Sequence, residues 1–242
     1  MAESLYLRLA GPLQSWAGPR VTGNVVRTEA RPTRSGLEGL LAAAMGWRRG
    51  EWEEWIRDTS ISVRSDRLGN RVDEFQTINP RDEDLEYQER AYLLMTGRRW
   101  SKRANFTPDG QNKTSIVNRT YIADAVFLVE VSDGTRLEQI KRALRKPQFT
   151  SYLGRKAFAP TFPFFLGVGP EGALKDLPTV KQTARAVQLS NDYFDALAGP
   201  ERPQLRIDHL GRTGTHSPEF VNVEALPQND WIKLISDTFD RT

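Results

Sequence analysis

The sequence predicts an α+β fold assembled from two strand–helix units, and three observations predict it. Residues 4–9, Ser-Leu-Tyr-Leu-Arg-Leu, alternate as a strand does, and 121–132 form a longer β-branched and aromatic run. Each strand is followed by apolar residues at helical spacing: Leu37, Leu40, Leu41, Ala44 and Met45 after the first, Leu137, Ile140 and Leu144 after the second. Each helix is followed by another apolar run, at 61–64 and 162–168. The order strand, loop, helix, strand is half of a ferredoxin-like unit, and it occurs twice.

The elements follow in chain order. Residues 10–19 are punctuated by glycine and proline and read as a loop. In 31–47, Pro32 keeps Arg31 extended, Ser35 and Glu38 stand at capping-box spacing, and Gly46 suits the helix stop. A helix turn is expected at 52–56. Residues 79–118 are polar and long, and are expected to project as an arm. Residues 121–132 are expected to be one strand ending at Asp133-Gly134. Thr135 and Glu138 form a second capping-box pattern, and Pro147 stops that helix. Residues 149–160 read as a loop. Beyond Gly169 the patterning weakens, with short strands expected at 184–189, 205–207 and 221–226, and a helix or strand at 231–239. The expected organisation is a principal domain over 1–168, with the arm at 79–118, and a subregion 169–242 packed on it.

Composition narrows the function classes. The chain has 242 residues and no cysteine, so it holds neither a disulfide nor a thiolate metal site. No apolar run approaches the ~18 residues of a membrane span, and the expected location is the cytoplasm without membrane attachment. The net charge is only +3, yet 26 of the 34 basic residues are arginine. Residues 4–28 and 139–170 carry cations and no acid, while acids collect at 51–54 and 82–89. A basic track beside an acidic one suits a nucleic-acid binder with protein neighbours.

Three stretches carry the binding chemistry. Residues 149–156, Phe-Thr-Ser-Tyr-Leu-Gly-Arg-Lys, combine two rings, hydroxyls, a glycine and two cations, which suits stacking on unpaired bases and contact with phosphates. Residues 11–18, with Gln14 and Trp16, have the same character. The start of the 31–47 helix, with Arg31, Thr33, Arg34 and Ser35, is a possible anion seat; the plain alternative is an amphipathic helix with solvated arginines. Arg119 and Tyr121 add a further candidate contact. Enzyme signatures are sparse: His209 and His216 are the only histidines, and no Walker loop occurs. Metal-independent RNA cleavage could draw on Tyr152, Lys156 and His209, and that enzyme is the alternative reading.

Three segments in order, 7–18, 32–46 and 146–156, resemble the RAMP superfamily of RNA-binding proteins, and within it the CasD family of type I-E CRISPR surveillance complexes (Cascade). The resemblance implies a modified ferredoxin-like (RRM-like) RAMP domain with a protruding thumb at 79–118 and a less regular C-terminal region. It implies a non-catalytic subunit without cofactor or metal. Such a subunit binds the 5′ handle of the CRISPR RNA (crRNA), caps the CasC backbone filament, contacts the large subunit CasA, and meets target DNA only through the complex. Carried over by motif and position, the expected RNA contacts are Gln14, Trp16, Arg27, Arg34, Ser35, Arg119, Tyr121, Lys146, Tyr152, Arg155 and Lys156. Arg98, Arg99, Trp100 and Arg103 are expected to contact partners from the thumb.

Overall fold

The computed structural model describes residues 2–16, 25–78, 92–94, 96, 115–181, 200–211, 214–215 and 217–239. The strands are β1 (Glu3–Ala10), β2 (Leu13–Gln14), β3 (Val25–Val26), β4 (Ser60–Arg67), β5 (Asn70–Ile78), β6 (Ser115–Ala123), β7 (Val126–Ser132), β8 (Phe165–Pro170), β9 (Thr179–Val180), β10 (Gln204–Gly211), β11 (Gly214–Thr215), β12 (Glu219–Asn222) and β13 (Ala225–Leu226). The helices are α1 (Arg34–Met45), α2 (Leu137–Arg145) and α3 (Gln228–Thr238), with a 3₁₀ turn at Glu54–Arg57.

The main sheet runs β11–β10–β4–β7–β1–β8, with β12 added beside β10, and its neighbours are antiparallel. Its central part connects as β1–α1–β4–β7–α2–β8. Alternation along β1 divides the core. Leu5, Leu7 and Leu9 pack with Leu37, Leu40 and Leu41 of α1 and with Ile140 and Leu144 of α2. Tyr6 faces the other way, beneath Trp231 and Ile235 of α3 and Phe239 at its C-cap, which recur every fourth residue. Both faces of the sheet are therefore covered. A smaller sheet, β2–β6–β3 with β5 beside β6, adjoins the end where β1 stops and β7 starts.

Several local expectations are corrected. The cap of α1 is Thr33, whose Oγ1 accepts from the Gly36 N–H at 3.3 Å; Glu38 instead accepts from Arg34 Nε at 2.9 Å. In front of α2, Asp133 Oδ1 accepts from the Thr135 and Arg136 amides at 3.1 and 2.9 Å, so this aspartate's turn replaces the Thr135 capping box. The single strand expected over 121–132 is two strands in two sheets. Asp124 breaks it at φ 57°, a conformation aspartate tolerates better than most residues, and its N–H goes to the Pro12 carbonyl. The run 221–226 also divides, since β12 pairs with β10 while β13 pairs parallel with β9. The 231–239 segment is helical. The expected strand at 184–189 lies outside the described residues.

Buried charge joins the C-terminal part to the sheet. Arg64, fully buried on β4, binds both oxygens of Asp66 at 2.7 and 2.9 Å. It also donates to the carbonyls of Leu174, Leu177 and Pro178. Trp231 Nε1 donates to the same Pro178 carbonyl at 2.8 Å, so α3 and β4 share one anchor.

Candidate nucleic-acid interface

The two loops singled out by sequence lie against each other. The Ser15 N–H donates to the Leu153 carbonyl at 3.0 Å, and Gly154, at φ 85°, passes so close that a Cβ there would stand 1.6 Å from the Ser15 carbonyl oxygen. The Leu153 side chain is fully buried, and the Leu153–Phe158 and Phe158–Arg155 backbone bonds close the turn on itself. Upstream, the amides of Gln148 and Phe149 donate to the Ala44 and Ala43 carbonyls. The Ala44 carbonyl is one that the end of α1 leaves without a helical partner, whereas the Ala43 carbonyl also accepts the Gly46 cap amide. The loop is thus held by α1, by residues 14–16 and by its own bonds. It leaves Lys146, Phe149, Thr150 and Lys156 exposed, with Tyr152 and Arg155 half-buried.

Beside it, Arg155 Nη1 donates to the Tyr121 hydroxyl at 3.0 Å, with its guanidinium 5.2 Å from that ring's centroid. Tyr121 packs edge-on against Phe158 and donates to Glu74. Glu74 faces Arg119 across the β5–β6 ladder, and Arg119 Nε is buried without a hydrogen-bond partner among the described residues. The Tyr121 hydroxyl holds the Glu74 carboxyl below the usual carboxylate range, helped by Gln76 and by the charges of Arg119 and Arg155. Burial and the Glu74 bond raise the Tyr121 phenol. Because Glu74 is depressed in the folded state, its contribution to stability is present above the ordinary value of 4.5 and disappears as pH falls through the folded value. Tyr121→Phe removes the main cause, so the midpoint of the Glu74 titration, followed by NMR on its carboxyl carbon, is expected to move up toward 4.5.

Several expected contacts turn inward. Gln14 is fully buried; its amide nitrogen donates to the Leu9 and Ala125 carbonyls at 3.2 and 2.9 Å, and its oxygen accepts from Trp16 Nε1 at 3.0 Å. Trp16 is 1% exposed and packs on Gly36. These two side chains satisfy and cover the junction of the two sheets, so neither offers a face to RNA. The expected anion seat at the start of α1 is corrected for a similar reason. Arg34 donates to the carbonyls of Leu210, Arg57 and Thr59 as well as to Glu38, and the Gly36 amide is taken by Thr33. Tyr121 is 4% exposed and supports Arg155 rather than presenting its ring. Arg27 and Ser35 are exposed; Arg27 follows Val26, the residue paired with Arg119.

Arg98, Arg99, Trp100 and Arg103 lie outside the described residues, as do 79–91 and 97–114 of the expected thumb. The last four residues of that expected insertion, 115–118, belong to β6, and Ile78 pairs with Ser115, so the ends of the intervening segment are adjacent. Sequence reasoning missed Glu74 and Phe158, which join the cluster only through strand register and loop closure. The sheet face is closed as well: Tyr6 at its centre is fully buried, 4.8 Å from Phe239, and burial raises its phenol strongly.

Residues 4–239 match the profile of a family described as CRISPR-associated protein (Cas_Cas5). The chain belongs to this Cas5 family. It is 32% identical over 175 residues to the CRISPR system Cascade subunit CasD of Escherichia coli (strain K12), spanning 69% of this chain and 71% of that protein. A solved chain described as CRISPR RNA-guided surveillance complex superposes with TM-score 0.68 at 25% identity, covering 97% of this chain and all of the other. A second, described as a Cas protein, gives TM-score 0.54 at 24% identity over 93% of this chain and 97% of the other, a likeness of fold. No helix among the described residues of this Cas5 chain is long and apolar enough to cross a membrane.

Proposed function

We propose that this Cas5 chain is a Cascade subunit that grips the 5′ handle of the crRNA without cleaving it, in the cytoplasm. The observation that carries the reading is the basic, aromatic loop 146–156, held at both ends and leaving Lys146, Phe149 and Lys156 outward beside Arg119 and Arg155. Rings and cations on a preformed loop suit unstacked bases and their phosphates. The E. coli relative is by name a Cascade subunit, and the first solved chain is described as an RNA-guided surveillance complex; both support assembly with other Cascade subunits. The β–α–β–β–α–β connectivity with order β4–β7–β1–β8 supports a ferredoxin-like RAMP domain, with 79–114 as its thumb. That thumb, with Arg98, Arg99, Trp100 and Arg103, is proposed to meet RNA or the CasC backbone subunit; contact with CasA, and through the complex with target DNA, completes the reading.

Cleavage by Tyr152, Lys156 and His209 acting together finds no support in the geometry. His209 Nδ1 is bonded to Ser62 Oγ at 2.8 Å on the α3 side of the sheet, whereas the loop of Tyr152 and Lys156 packs on the α1 side through Leu153.

The test is Lys146→Ala with Lys156→Ala, two exposed positions where the fold should be unaffected. Binding of labelled single-stranded CRISPR-repeat RNA is expected to weaken, and the slope of log affinity against log salt to fall by ~1.4, the value for two lost phosphate contacts on a single strand. Unchanged affinity and slope would contradict the reading.

A further inference from the structure

The sheet end where β1 and β4 finish carries a second basic group, on the face away from the loops. Arg8 alternates with Leu7 and Leu9 and therefore points to the α3 side, its guanidinium 5.6 Å from the centroid of the Trp231 ring. It is poorly satisfied there. Among the described residues, its Nε is buried with no hydrogen-bond partner, and Nη1 makes only a long 3.5 Å contact with Thr161 Oγ1. Burial lowers its pKa, and the like charge of Arg67 acts in the same direction, against the pull of Asp66. Both oxygens of Asp66 are already engaged by Arg64. Arg67 is exposed at the end of β4. Arg8 thus sits at a partly desolvated place within electrostatic reach of the like-charged Arg67 and of Asp66, whose carboxylate already holds Arg64. A desolvated cation with spare donors is stabilised by an added anion.

The adjoining backbone brings an aromatic ring. The Arg8 N–H donates to the Phe164 carbonyl at 2.7 Å, so residues 161–164 border the arginine, and Phe162 among them is 78% exposed.

We propose that Arg8, Arg67, Thr161 and Phe162 form a second nucleotide site, where the guanidinium groups hold a backbone phosphate of single-stranded RNA and the Phe162 ring stacks on the neighbouring base. The inference rests on the RNA-binding reading above and extends it. With Lys146 and Lys156 on the α1 side and Arg8 on the α3 side, the bound strand crosses the end of the sheet from one face to the other.

The experiment titrates the full chain with labelled single-stranded CRISPR-repeat RNA at several salt concentrations, comparing Arg67→Gln and Phe162→Ala with Lys146→Ala/Lys156→Ala. Both Arg67 and Phe162 are exposed, so thermal melts should match the parent. Phe162→Ala is expected to weaken binding roughly fivefold or more, the lower end for a lost base stack. Arg67→Gln is expected to lower the salt slope by ~0.7. Repeat RNA carrying 5-iodouridine should photocrosslink to Phe162 in the parent chain. Unchanged affinity and slope in both variants, with the lysine pair still weakened, overturns this site alone. If the lysine pair is silent while Arg67→Gln and Phe162→Ala weaken binding, the loop reading fails and this site stands. RNA affinity retained in Phe162→Ala with assembly into the multisubunit complex lost marks a protein-docking surface and also overturns the proposal. A parent chain that binds no repeat RNA overturns both readings.

Discussion

Replacing Arg64 by alanine is expected to lower the unfolding free energy by about 3–5 kcal/mol, the usual cost of removing one partner from a buried ion pair. The loss is large because the side chain does two jobs. It neutralises the 7%-exposed Asp66, and it supplies donors to the carbonyls of Leu174, Leu177 and Pro178. Without it a carboxylate is left beside the core, the Leu174 and Leu177 carbonyls lose this donor, and the Pro178 carbonyl keeps only Trp231. Domains of this kind hold only about 5–15 kcal/mol in total, so the change consumes a large share of the margin. Denaturant unfolding followed by tryptophan fluorescence measures it. Hydrogen exchange should quicken first in α3, because Trp231 bonds the same Pro178 carbonyl. Adding Asp66→Asn to Arg64→Ala is expected to recover part of the loss, since a neutral amide needs no counter-charge. No recovery would assign the cost to the carbonyls, and a shift under about 1 kcal/mol, the size of an ordinary surface change, would refute the anchoring role.

Gly154→Ala is expected to act on binding more than on the fold. An L residue at φ 85° is strained by about 1–2 kcal/mol, and its Cβ would stand 1.6 Å from the Ser15 carbonyl oxygen, a backbone atom that cannot swing aside. The turn around Leu153 must lift away, carrying Arg155 off Tyr121 and Lys156 out of position. RNA affinity is expected to fall about tenfold or more, because cations and rings of one loop are lost together. The core around α1 and β1 should remain, so the far-ultraviolet spectrum is expected to be unchanged. Parent-like affinity would mean that the seat of this loop on Ser15 is irrelevant to RNA.

Both results bear on how far the primary structure could be read. The two strand–helix units were legible because apolar spacing is a local property: Leu37, Leu40 and Leu41, or Ile140 and Leu144, need only their own helix to line up. The loop 149–156 was legible from its residue types, whereas the expected loop at 10–19 contains β2 at Leu13–Gln14. Which side chains of those segments face outward was not legible. Gln14 and Trp16 look like binding residues in a glycine-rich loop, yet they fill the junction between two sheets, a junction that exists only after β2 has paired with β6. Asp124 divides an apparently continuous strand because its two halves find different partners, and partner choice is not written in local alternation. Arg8, one cation in an alternating strand, gives no sign in sequence that Trp231, Asp66 and Thr161 converge on it from distant segments.

By itself, the amino-acid order determined the element types, the acid-free stretches and the family resemblance, since each depends on residues near one another along the chain. Only the tertiary structure decided which of the candidate residues are buried props, which remain exposed, and that the sheet face is closed by α3. Burial and hydrogen-bond partnership are set by contacts across more than a hundred residues, such as Tyr6 with Glu130 or Arg64 with Leu174, and such contacts have no local signature.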